Sequence, residues 1–84
     1  MTVYKNQTDT IRINLFKVDH EDGRKPEWNA DIWRKLPDGG ASVETYSQIA
    51  GDLFPTRREG KEFFEDTYGM LTPIGRTETV TEGW

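Results

Sequence analysis

The four residues Pro37-Asp38-Gly39-Gly40 constrain the fold of this chain more than any other stretch. Proline presets its own φ and glycine accepts a positive φ without steric cost, so the chain reverses here in one tight turn. Before the turn, Trp28 to Leu36 reads as a strand, with Trp28, Ala30, Ile32 and Leu36 on one face and Trp33 on the other. After it, Ala41 to about Ala50 reads as a strand folding back, with Val43 and Ile49 on one face and Tyr46 on the other. Val43, Tyr46, Ile49, Ala50 and Leu53 also fit a helical stripe, but the turn directly before them favours a strand.

Upstream, Thr10 to Val18 alternates as a further strand, placing Ile11, Ile13 and Leu15 opposite Arg12, Asn14, Phe16 and Val18. The charged segment Asp19 to Lys25, with Gly23, closes a hairpin. Downstream, Thr56 and Glu59 form a Ser/Thr-x-x-Glu capping box, and the helix it starts runs to Tyr68 and stops at Gly69. Its apolar stripe is Gly60, Phe63, Phe64, Thr67 and Tyr68. Arg76 to Glu82, polar and alternating, suits a sheet edge. The expected fold is therefore α+β: a small antiparallel sheet, made of a three-stranded meander plus a short C-terminal edge strand, with one helix packed on one face.

With 84 residues the chain has room for one core, so residues 1–84 form a single domain. Leu, Ile, Val and Phe contribute only 17 residues, but ten aromatic residues are available to bury and the net charge is only −4. A domain of this size buries about 60% of the surface its unfolded chain exposes, so its stability is modest. Without cysteine there are no disulfides, thiolate metal sites or cysteine nucleophiles. No apolar run approaches the ~20 residues of a membrane span, and the N-terminal residues do not have the layout of a signal peptide, so the expected location is cytoplasmic. The acidic balance disfavours non-specific binding to nucleic acid, which depends on Lys and Arg displacing counterions.

No constellation in the sequence specifies catalysis. The only histidine, His20, lies among Asp19, Glu21 and Asp22, a set that could offer oxygen ligands to a hard cation, but the spacing is not that of an EF-hand. A solvated hairpin tip is the simpler reading. Ser42 and Ser47 sit on no strand-to-helix elbow, and Gly39-Gly40 is followed by no Lys-Ser/Thr pair. The chain is read as a non-enzyme without metal or cofactor.

Two features point to binding. Arg57 and Arg58 in the first turn of the helix, and Glu65 and Asp66 in its last, all oppose the helix dipole, which suggests that something else selects them. An anion site at the helix start is one candidate, and an internal ion pair or a solvated face is the plainer one. If the helix covers the face bearing Ile11, Ile13, Ile32 and Val43, then Phe16, Trp33 and Tyr46 gather on the opposite face. Such a cluster could anchor a protein interface or stack on unpaired bases, unless the N-terminal segment, the C-terminal tail with Trp84 or a second subunit covers it.

The first functional reading is a stoichiometric protein-binding module, an inhibitor or accessory protein that occupies a larger protein or ribonucleoprotein through Phe16, Trp33, Tyr46, Arg57 and Arg58. In size, acidity and α+β composition the chain resembles the small anti-defence proteins of bacteriophages and mobile elements, including anti-CRISPR proteins. That resemblance is one of profile and assigns no residue. The alternative is a nucleic-acid-binding accessory protein that stacks bases on the aromatic face and holds phosphates with Arg12, Arg34, Lys35, Arg57 and Arg58. Its helix-turn-helix variant over Thr45 to Phe64 has Phe54 where that turn wants glycine. The expected state is a monomer or a homodimer.

Overall fold

A computed structural model describes residues 2–75 and 79–84. Five strands form one antiparallel sheet in the order β4-β3-β2-β1-β5: β1 is Thr2–Lys5, β2 Ile11–Val18, β3 Glu27–Lys35, β4 Ala41–Thr45 and β5 Thr72–Pro73. The short helix α1 (Tyr46–Ala50) follows β4, and α2 (Arg57–Tyr68) lies across one face of the sheet. The fold is α+β, as expected.

Register decides which residues meet α2. Ile13 pairs with Ile32 and Leu15 with Ala30, and these join Tyr4, Ile11, Phe54, Phe64 and Leu71 in one buried core. α2 begins where the capping box places it, with the Glu59 N–H donating to Thr56 Oγ1 at 3.1 Å. It ends at Gly69, whose φ of 82° only glycine adopts freely and whose N–H reaches the Glu65 carbonyl. Gly60 lets the helix approach closely, since a Cβ there would come within 3.1 Å of the Phe54 ring and 3.3 Å of Leu15.

Four expectations are corrected. The strand after the turn ends at Thr45 rather than near Ala50. The Asn29 side chain draws the chain out of the ladder: its Nδ2 donates to Ser47 Oγ at 3.0 Å and its Oδ1 accepts from the Ser47 N–H. Phe54, returning after α1, then takes the place opposite Trp28 through two backbone hydrogen bonds of 2.7 and 2.9 Å.

Val43 lies on the face away from α2, because the Pro37–Gly40 turn pairs Lys35 with Ala41 and so Trp33 with Val43. Phe63, expected to pack on the sheet beside Phe64, is 45% exposed, while Phe64 is 2% exposed.

At the C-terminal end, Arg76–Glu78 of the expected edge strand lie outside the described residues, and Thr79–Glu82 form bends and turns. The edge belongs instead to β5, which pairs with β1, a strand absent from the sequence reading. Pro73 is tolerated there because an edge residue can do without a ladder donor. β1 and β2 are joined through Asn6, whose Oδ1 accepts the N–H groups of both Thr10 and Ile11, while Asp9 adopts φ 52°.

Candidate functional site

An open cleft lies between the two helices. α1 supplies Tyr46, Ile49 and Ala50, α2 supplies Phe63, Thr67 and Tyr68, and Ile32 and Phe64 form the floor. Its volume is about 240 Å³. An apolar cavity of ~150 Å³ already accepts a benzene-sized group, so the space suits an apolar side chain. The walls are held by an aromatic cluster in which Tyr46 stacks on Phe54 at 4.4 Å between centroids and meets Phe63 and Phe64 edge-on at 5.4 and 5.5 Å. Two large apolar side chains on the rim stay in solvent: Ile49 is 62% exposed and Phe63 45%.

The charges around this cleft are mostly acidic. Glu59 and Asp66 stand one turn before and after Phe63 on the outer side of α2. Glu44 pairs with Ile32 across β3 and β4, which puts it on the same side of the sheet as the cleft floor. Among the described residues none of these three carboxylates is in an ion pair. Among the described residues a cation also borders the cleft: Arg34, whose Nη2 donates to the Tyr68 hydroxyl at 2.8 Å with the guanidinium over the Tyr68 ring.

The opposite sheet face is partly covered. Arg12, 6% exposed, binds both carboxylate oxygens of Asp9 at 3.0 Å and donates through Nη1 to the carbonyls of Val80 and Glu82 at 2.9 and 2.6 Å. Trp84 lies on the Arg12 guanidinium and donates Nε1 to Asp9. The segment from Thr79 to Trp84 is thereby strapped across Trp33, leaving a second cavity of about 240 Å³ among Trp33, Gly40, Ala41, Thr81 and Trp84. Two buried polar atoms on this face, Asn14 Oδ1 and Trp33 Nε1, have no partner among the described residues.

Neither models of known families, nor curated proteins, nor solved structures match this chain.

The five residues singled out from the sequence do not form one site. Phe16 and Trp33 share the face away from α2, each half-buried. Tyr46 does not join them. It is the first residue of α1, and its ring turns to the α2 side onto Phe54. Arg57 donates to Thr2 Oγ1 at 3.1 Å, whereas Arg58 pairs with Glu62 one turn along its own helix at 3.1 Å. The two arginines therefore diverge from the helix start. Glu65, at the other end, accepts the Leu71 N–H at 3.1 Å and sits 3.6 Å from Lys61, which accounts for one anion placed against the dipole.

Ile49 is not among the binding residues expected from the sequence, although the helical stripe of Val43, Tyr46, Ile49, Ala50 and Leu53 marks it.

Part of the acidic hairpin loop is tied up internally. His20 Nε2 lies 2.8 Å from Glu27 Oε1, and Arg24 pairs with Asp22 at 2.7 Å. Arg24 holds the Asp22 carboxyl below the usual range through that contact and through its own backbone N–H. No group of three or more His, Asp or Glu side chains converges among the described residues, and no helix there is long and apolar enough to cross a membrane.

Proposed function

We propose that this protein is a non-enzymatic protein-binding module that acts stoichiometrically, inhibiting or assisting a larger protein or ribonucleoprotein by occupying part of its surface. The observation that carries this reading is the apolar cleft between α1 and α2, where Ile49 and Phe63 remain exposed beside a cavity floored by core residues. Exposed aromatic and aliphatic groups around a pocket are the usual anchors of an interface. A phage anti-defence role of the anti-CRISPR kind is one setting for such a module, and the cytoplasm is its natural compartment.

The nucleic-acid alternative receives less support from the same geometry. With Tyr46 on the other side and Arg12 engaged by the C-terminal strap, the face bearing Phe16 and Trp33 has lost one stacking member and one phosphate-binding cation.

Affinity capture from the native host with wild type, Ile49→Asp and Trp33→Ala tests the choice. A single stoichiometric protein that resists nuclease, is lost with Ile49→Asp and is kept with Trp33→Ala is the expected result. Capture that nuclease abolishes, or that Ile49→Asp leaves intact, refutes the cleft as a protein-binding site.

A further inference from the structure

We infer that the occupant of the cleft is an amphipathic helical segment of a partner protein whose apolar stripe is flanked by Lys or Arg. This rests on the protein-binding reading and adds the chemistry of the partner. A groove formed between two helices accepts a third helix by its apolar face, with anchors at i, i+3 and i+4. The cleft supplies the matching hole, and Ile49 and Phe63 supply the flanking apolar ridges.

Charge then selects among occupants. Glu44 stands across from the floor residue Ile32, and Glu59 and Asp66 stand one turn to either side of the rim residue Phe63, none with an ion-pair partner among the described residues; Arg34, held on Tyr68, offsets only one of the three charges. In a two-fold contact the same surface meets itself, so these acids would face acids. An acidic helix meets the same repulsion. Basic flanks relieve it and speed encounter with a chain of net charge −4. This also explains Asp66, which lies near the C-terminal end of α2 against the helix dipole and has no ion-pair partner among the described residues.

The test uses a fluorescein-labelled synthetic amphipathic peptide of Leu and Lys, about four helical turns long, and its counterpart with Glu in place of Lys. Anisotropy titrations are run against the intact protein, Ile49→Asp and the double variant Glu59→Lys with Asp66→Lys, each checked for native circular dichroism. The Leu/Lys peptide should bind at least roughly tenfold more tightly than the Leu/Glu peptide, and the double variant should reverse that order. Ile49→Asp should abolish binding of the Leu/Lys peptide even though it adds a negative charge, which separates docking from general attraction.

Absence of Leu/Lys binding, or a preference that survives the double variant, overturns the basic-helix inference. If Ile49→Asp still abolishes binding of whichever peptide does bind, the cleft reading stands alone. If Ile49→Asp changes nothing, both fall. A sedimentation measurement giving a dimer that Ile49→Asp dissociates would assign the cleft to a second copy instead.

Discussion

Adjacent phenylalanines in α2 have opposite fates. Phe64 is enclosed by Tyr46, Phe54, Phe63 and Tyr68, whereas Phe63 stands at the cleft rim. Phe64→Ala should cost roughly 3 to 5 kcal/mol, the range for emptying a buried aromatic site. Phe63→Ala should cost about 1 kcal/mol, because much of its surface is already wet. Urea denaturation of the two variants separates them, and equal losses would contradict this placement.

Asp9 permits a pH test at the same scale. Its carboxyl is held below the ordinary value of 3.8 chiefly by the Arg12 hydrogen bonds, against the opposing effect of burial and with help from Trp84. A depressed folded pKa means that the stabilisation is complete above the unfolded value and is lost as pH falls through the lowered folded one. Asp9→Asn should therefore destabilise the protein at neutral pH and make little difference in strong acid. Because Asp9 is about a third exposed, solvent screens the effect and it should be modest. A stability gap that persists unchanged below the lowered pKa would show that the charge of Asp9 is not what matters.

At the scale of the element, α2 is fixed by its ends and by one glycine. Thr56→Ala removes the acceptor for the Glu59 N–H and should cost ~0.5 to 2 kcal/mol. Gly60→Ala in an open helix would gain roughly 0.8 to 1 kcal/mol from propensity. Here the new methyl meets the Phe54 ring at 3.1 Å, and that ring is itself wedged among Tyr46, Phe63 and Phe64, so the gain should not appear in the melting temperature. The two leading arginines should also differ. Arg57→Glu improves the match to the dipole at the loss of one hydrogen bond to Thr2, while Arg58→Glu places like charges at i and i+4 with Glu62. Thermal denaturation should rank Arg57→Glu above Arg58→Glu by a few tenths of a kcal/mol.

For the whole molecule, the sheet separates two surfaces that behave differently. One carries α2, the core and the open cleft. The other is partly covered by the C-terminal strap through Arg12 and Trp84. Trp84→Ala removes the ring over Arg12 and the bond to Asp9, and should loosen the strap and expose Trp33 without unfolding the sheet. In a Trp28→Phe background, acrylamide quenching of the remaining Trp33 fluorescence should rise relative to the protein that keeps Trp84. Unchanged quenching of the Trp33 component would mean that the strap does not shield it. In a domain this small, total stability is on the order of 5 kcal/mol, so Phe64→Ala approaches global unfolding whereas the strap variant does not.

What the sequence determined by itself is what short-range chemistry specifies. Alternation marked strands over Thr10 to Val18 and Trp28 to Leu36, which the fold forms as Ile11–Val18 and Glu27–Lys35; the Pro37–Gly40 turn joined β3 to β4, and the capping box with Gly69 bounded α2, because each signal lies within a few residues of the structure it causes. The tertiary structure decided the rest. Where β4 stops depends on Asn29, 18 residues before Ser47, and on Phe54 reaching Trp28. Whether Thr2–Lys5 is a strand depends on β2 and β5 as neighbours. Which aromatic residues share a surface depends on register and on α1, so Tyr46 parted from Trp33 and joined Phe63 at a cleft whose α1 wall alone had a local mark, the helical stripe through Tyr46, Ile49 and Ala50. Contacts between distant segments leave no periodicity in the chain, and the candidate binding surface is made of such contacts.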